Sequence, residues 1–323
     1  MIRPCIIITV VLLAGCNREP PAGPPPTLPP AAQKERPSST GQSLAEARKG
    51  FTTKLARRES AKTPFDEPPP RIFQLVRFDA PAGKLGAYLS PDPADGKKHP
   101  AIVWITGGDN NTIDQGCWRE GPPQNDQSAG QYRKAGIITM FPSQRGGNDN
   151  PGVREGFLGE IDDVIAAVDY LAKLSYVDPN RVYLGGHSTG GTVALLAAES
   201  TDRFRAVFSF GPVADPSGYG PEYTPFNIHD RREVELRSPI VWLGSIRSPT
   251  FVFEGAGQGN TDQLEAMRRA STNPKASFFA VKGGDHFNIL APINRLIAQK
   301  ILADTGPTCN LSFSPTEVNE LIR

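Results

Sequence analysis

Residues Arg181–Glu199 read RVYLGGHSTGGTVALLAAE, and this stretch decides the fold. Arg181 to Gly185 is a β-branched and aromatic run stopped by glycines, the pattern of a buried strand. From Thr192 onward, Val, Ala and Leu recur at helical spacing among strong helix formers. Between the two lies Gly186-His187-Ser188-Thr189-Gly190, a G-x-S-x-G pattern. A strand that turns into a helix this tightly forces its serine into a strained backbone conformation and lifts the hydroxyl to the top of the sheet. A Cβ on either flanking glycine would meet neighbouring backbone. The pattern alone is weak; the strand before it and the helix after it give it weight. Ser188 is therefore the candidate nucleophile.

Outward from this turn the chain alternates strands and helices. Upstream, Arg71–Asp79 and Lys84–Ser90 predict an antiparallel pair turning at Ala82-Gly83. Pro100 to Thr106 is a continuous apolar run, as expected of a strand buried on both faces, and it leads into Gly107-Gly108-Asp109. Gly136–Phe141 predicts another buried strand. Gly156–Leu174 predicts a helix, with Ile161, Val164, Ile165, Val168 and Leu171 on one face. Downstream come a strand at Arg205–Phe210, a loop-rich insertion, a strand at Pro249–Glu254 and a helix at Asp262–Arg269. A strand at Ala276–Val281 and a helix at Pro292–Asp304 close the series. The expected class is α/β, a doubly wound and mostly parallel sheet with a short insertion after the sixth strand.

The chain has 323 residues, 38% hydrophobic and 21% charged, enough for one large core behind an N-terminal segment. A net charge of +1 and the lack of a basic-aromatic stripe give no reason to expect a nucleic-acid partner. Residues 1–15 carry a cationic start and an apolar run too short to span a bilayer, as a signal peptide does. Leu13-Ala14-Gly15-Cys16 resembles a bacterial lipobox, which implies cleavage before Cys16 and lipid on it. With Asn17 next, the resemblance implies the periplasmic face of the outer membrane. Residues 16–70 read as a proline-rich tether with a short basic helix in Gln42–Glu59. The catalytic domain is expected over 71–305 and a C-terminal tail over 306–323. Cys117 and Cys309 lack metal-ligand spacing, so no metal is expected; whether they pair is left open.

A serine hydroxyl needs a base within hydrogen-bond reach. Of four histidines, His99 falls at the amino edge of its strand, His187 inside the turn and His229 in the insertion. His286, in Gly283-Gly284-Asp285-His286-Phe287, follows the last strand at the carboxyl edge, where the groups of open α/β sheets gather. It is the candidate base. The orienting acid has three candidates. Glu254 ends an apolar strand, where an unpaired carboxylate would be costly. Asp262, suited to capping the next helix, and Asp215, after the preceding strand, are the alternatives. Backbone N–H groups of Thr189 and of Gly108 or Asp109 are the candidate oxyanion hole.

Together, Arg145-Gly146-Gly147-Asn148, Glu160 to Val164, Asp178-Pro179-Asn180-Arg181, the GGHSTGG turn and Asp285-His286-Phe287 resemble the α/β-hydrolase fold. Within it they are similar to the prolyl oligopeptidase-like and dienelactone hydrolase-like catalytic domains. The resemblance implies a cofactor-free Ser-His-acid hydrolase of small esters or short peptides. Where that family commonly has His-Gly-x-x-Asp, this chain has Glu254-Gly255-Ala256-Gly257-Gln258. Only about fifty residues lie between Cys16 and the first domain strand, too few for a β-propeller. The expectation is a lipid-anchored envelope esterase. Its rivals are a peptidase and a non-catalytic binding protein on the same fold.

Overall fold

The strand at the centre of this reading runs longer than expected, Val177–His187, and lies in the middle of an eight-stranded sheet. The computed structural model describes residues 42–322. Its strands are β1 (Gln74–Ala80), β2 (Gly83–Leu89), β3 (His99–Ile105), β4 (Ile138–Pro142), β5 (Val177–His187), β6 (Val207–Phe210), β7 (Thr250–Gly255) and β8 (Ala276–Val281). The order is β1-β2-β4-β3-β5-β6-β7-β8. The pairs β1–β2 and β2–β4 are antiparallel, and every later pair is parallel. The expected doubly wound, mostly parallel α/β architecture is what the chain adopts.

Period-two alternation explains why both faces are covered. On β3, Ala101, Val103 and Ile105 belong to one core, whereas Ile102 and Trp104 belong to the other. Likewise Val182 and Leu184 on β5 face away from Tyr183. The helices are α1 (Leu44–Arg48), α2 (Gly130–Lys134), α3 (Gly159–Leu171), α4 (Thr189–Ser200), α5 (Arg231–Glu235), α6 (Pro239–Trp242), α7 (Thr261–Ala270), α8 (Leu290–Ala303) and α9 (Pro315–Asn319). The first core takes its helical side chains from α1, α3, α4, α6 and α7, and the second from α2, α8 and α9. Helix α5 and α6 lie in the insertion after β6.

Several boundaries differ from expectation, and three of the differences have clear local reasons. Strand β1 begins at Gln74 rather than Arg71 because the Ile72 and Phe73 N–H groups turn back onto the Pro69 carbonyl. Helix α3 begins at Gly159 rather than Gly156 because Glu160 gathers the Glu155, Gly156 and Leu158 N–H groups into a loop first. The helix expected in Gln42–Glu59 is confined to α1, opened by a Ser43/Glu46 capping box. Lys49 leaves the helix extended, and Gly50 follows at φ +76.

Beyond Gly50, the stretch expected as a tether lies on the domain. Lys54 N–H and Thr53 Oγ1 donate to Glu233, Leu55 bridges to Phe226, and Ala56 and Arg57 N–H donate to the Pro225 carbonyl. Ala61 N–H reaches the Gly146 carbonyl. Apolar Leu55 and Phe65 and a run of main-chain donors give this segment more to gain on the surface than in water. The C-terminal segment is also packed. Phe313 stacks edge-on against Phe208, Phe251, Phe253 and Phe279, and α9 packs against β8. Cys117 and Cys309 are free thiols. Cys16 and the signal-peptide segment lie outside the described residues.

Candidate active site

The turn between β5 and α4 consists of Ser188 alone, at φ +57 and ψ −120. Such a backbone costs about 1–3 kcal/mol, and it persists because its surroundings over-determine it. A Cβ on Gly186 would lie 2.4 Å from the Gly190 carbonyl oxygen. One on Gly190 would lie 2.3 Å from the Ile105 oxygen, and one on Gly191 2.3 Å from the Phe210 oxygen. Glycine is thus a steric requirement at all three. Ser188 N–H donates to Phe210 O at 2.7 Å, while its carbonyl accepts from Thr192 N at 3.0 Å. Its hydroxyl makes no hydrogen bond to the described residues, which leaves it free to meet a substrate.

His286 sits in a turn with its own internal clamp. Asp285 accepts the N–H groups of Phe287 and Asn288, and Asn288 accepts that of Asp285. The imidazole Nδ1 lies 2.9 Å from Glu254 Oε2. Glu254 is fully buried at the end of β7, and its carboxylate also accepts Gly255 N–H at 2.7 Å and Asn260 N–H at 2.9 Å. Two glycines make room for the pair. A Cβ on Gly211 would stand 2.4 Å from His286 Cε1, and one on Gly259 2.8 Å from Glu254 Oε1. With Nδ1 engaged by an acceptor, Nε2 is the nitrogen left to exchange a proton.

The other carboxylates lie elsewhere. Asp262 is exposed in the first turn of α7, and Asp215 accepts Ser217 N–H at the start of a 3-10 turn. Of the remaining histidines, His99 pairs with Asp95 at the amino edge and His229 is exposed in the insertion. His187 is buried, with Nε2 2.9 Å from the His286 carbonyl oxygen. Thr189 opens α4, so its N–H has no carbonyl within the helix. The Thr189 hydroxyl donates to the Gly108 carbonyl, tying the loop after β3 to the turn. Gly108, at φ +117, and Asp109 are exposed on that loop.

A cleft beside Thr189 and Gly108 is lined by Thr106, Asn111, Gln144, Arg154, Phe157 and Glu160. Its polar floor has a structure that local sequence signals do not convey. Glu160 is buried, and burial alone would raise its pKa; Arg145 and the hydrogen bond from Asn111 outweigh this and hold the carboxyl below its usual range. Arg145 in turn makes a two-pronged pair with Asp163 and a second pair with Glu155. Arg154 is fixed on the rim by Glu59 of the N-terminal segment, at 2.6 Å. In the sequence Arg145-Gly146-Gly147-Asn148 and Glu160 to Val164 are separate motifs, and nothing there shows that they build one network. Among the described residues no cluster of His, Cys, Asp or Glu could hold a metal ion.

The model of the prolyl oligopeptidase family matches residues 128–236, which contain Ser188 but end before β7 and β8. Many solved structures superpose on the sheet and its helices. A puromycin-hydrolyzing peptidase of Mycobacterium tuberculosis does so with a TM-score of 0.57 and 22% identity, over 74% of this chain and 40% of that one. A hyperthermophilic esterase from Pyrobaculum calidifontis does so with a TM-score of 0.54 and 16% identity, over 80% of this chain and 88% of that one. The chain has the α/β-hydrolase fold, and its residues 128–236 are similar to the prolyl oligopeptidase family. Among sequence relatives, S-formylglutathione hydrolase of Rattus norvegicus is 27% identical over 185 residues, 46% of this chain and 61% of that protein. The quorum-quenching protein AidA of Acinetobacter baumannii is 31% identical over 109 residues, 33% of this chain and 35% of that one. The chain therefore spans less than two thirds of either relative.

Proposed function

We propose that this chain is a serine hydrolase that cleaves a carboxylic ester through an acyl-enzyme. The observation that carries the reading is the 2.9 Å bond between His286 Nδ1 and buried Glu254, at the sheet edge that also carries strained Ser188. Ser188 Oγ attacks the carbonyl carbon while His286 Nε2 takes its proton. Glu254 keeps the ring in the required tautomer and offsets the positive charge that forms on it. The N–H groups of Thr189 and of Gly108 or Asp109 stabilise the developing oxyanion. His286 then protonates the departing alcohol, and a water deprotonated by the same nitrogen releases the acid.

An ester substrate is supported by the relatives named as S-formylglutathione hydrolase and as an esterase. A peptidase acting on short peptides is the second reading, supported by the family match and the peptidases of similar fold. We further infer that lipid on Cys16 anchors the chain in the cell envelope, at the periplasmic face of the outer membrane. The lipobox-like Leu13-Ala14-Gly15-Cys16 supports this.

Treatment of the full chain in detergent with a fluorophosphonate probe tests the reading. The expected result is one adduct, on Ser188, absent in Ser188→Ala and slowed in His286→Ala. A folded protein with no adduct overturns the hydrolase reading and favours a binding protein. Turnover of aminoacyl amides above that of simple acyl esters would favour the peptidase. Loss of fatty-acyl labelling in cells carrying Cys16→Ala is the outcome expected for the anchor, and unchanged labelling overturns it.

A further inference from the structure

His187 occupies the variable position of the G-x-S-x-G turn, and its side chain reaches into the neighbouring loop. It is 2% exposed, and its Nε2 lies 2.9 Å from the main-chain oxygen of His286. A carbonyl oxygen only accepts, so Nε2 must carry the hydrogen. Burial pushes the pKa of this imidazole down to about 3, and the adjacent His286 acts in the same direction. The ring is therefore neutral in ordinary buffers, with one N–H, and that N–H is committed to the loop of the base. The two imidazoles lie 4.6 Å apart between ring centroids, and the Phe287 ring stands edge-on to both.

This bond closes a circuit. Ser188 is covalently next to His187, His187 holds the main chain of His286, and the side chain of His286 is held by Glu254. The other ties of the 285–288 turn lie within the turn itself or reach along the main chain from neighbouring segments. The His187 bond is different because it refers the base directly to the residue beside the nucleophile. Neutrality matters as well: a charged ring 4.6 Å away would oppose the imidazolium that His286 becomes during proton transfer.

We propose that His187 is a positioning residue that sets the alignment of His286 to Ser188 by donating its Nε2 hydrogen to the His286 carbonyl. The inference rests on the serine hydrolase reading. Removing the donor should let the base drift by a fraction of an ångström, which affects the chemical step and leaves substrate binding largely alone.

The test compares His187→Phe, which keeps an aromatic ring and loses the donor, with His187→Gln, whose terminal amide places an N–H near the same point. Each is assayed on p-nitrophenyl acetate beside wild type and Ser188→Ala. His187→Phe should lower kcat by about 10- to 100-fold with KM within about twofold, and His187→Gln should recover most of the loss. Turnover that persists in Ser188→Ala overturns the hydrolase reading itself. With Ser188→Ala inactive, an unimpaired His187→Phe overturns this inference, as does a His187→Gln no better than His187→Phe. Should His187→Phe fail to fold, nitrogen-15 NMR of the wild-type histidine rings decides. A neutral ring with hydrogen on Nε2 is expected for His187 between pH 5 and 8; hydrogen on Nδ1, or a charged ring, overturns the inference.

Discussion

The two sides of the candidate oxyanion site are built in opposite ways. On one side, the turn at Ser188 is enclosed: three glycines each face a backbone oxygen within 2.4 Å of where a Cβ would stand, and both main-chain groups of Ser188 are bonded. On the other, the loop after β3 is exposed, and a Cβ on Gly108 would meet nothing within 4 Å. One side-chain hydrogen bond, from Thr189 to Gly108, joins the two. The lesson is that the nucleophile is positioned by excluded volume, whereas the Gly108 end of the facing loop is tied to it by one polar contact and the Asn111 end is anchored away from it, on Arg145 and Glu160. Groups that define the reaction are locked by packing, whereas groups that must admit a substrate are held only as far as needed.

The sharpest way to break the enclosed side is through Glu254, the buried anchor of His286. Glu254→Gln should lower kcat by about 10³- to 10⁴-fold with little change in KM, measured on a short acyl ester, because an amide no longer enforces the ring tautomer or stabilises its charge. Retention of more than a tenth of the activity would break the comparison.

A matched pair of substitutions probes the two sides directly. Gly190→Ala drives a methyl into the Ile105 and Thr106 carbonyls and should destabilise the fold by about 3–5 kcal/mol, seen as a large drop in Tm. Gly108→Ala meets no atoms and bears only its positive φ, so about 1 kcal/mol is expected in the same melt. Equal losses would remove the distinction.

Thr189→Val cuts the one link while keeping the shape of the side chain. An approximately tenfold fall in kcat, with Tm within a degree or two, is the outcome expected if the bond only orients the loop.

The smallest effect concerns Glu199 near the far end of α4, buried with neither carboxyl oxygen hydrogen-bonded among the described residues. Burial raises its pKa well above the usual value. The folded state thus holds a proton that the unfolded chain releases above its own, ordinary carboxyl pKa, so stability falls as pH rises past that point. Glu199→Gln should raise Tm at pH 8 and leave it unchanged at pH 4. A gain at pH 4 alone would contradict this sign.

Much of the framework was legible because each element states itself locally. The continuous apolar runs at β3 and β7, the alternation within them and the glycines of the Ser188 turn require no knowledge of distant residues. Strand β8 falls on the expected Ala276–Val281. Where the reading failed, short-range signals were outvoted or missed. The helix expected in Gln42–Glu59 ends at Arg48, where Lys49 turns extended ahead of Gly50. Helix α2 escaped notice because one buried aromatic, Tyr132, anchors a segment otherwise small or polar. Side-chain reach was beyond the sequence altogether. Glu254 meets a partner 32 residues away and His187 one 99 residues away, and no pattern around Asp262 or Asp215 shows that they face elsewhere.

The strap formed by residues 53–61 also has a mechanical consequence. Its bonds run to Pro225 and Glu233 in the insertion and to Gly146 near the cleft, and all of them precede β1 along the chain. Tension applied from the amino-terminal side would load these contacts in series before reaching the first strand. The pull would load the buried face of α1 first, then the contacts on Glu233 and Pro225, and would reach the rim of the cleft, where Glu59 grips Arg154, before it reached the sheet.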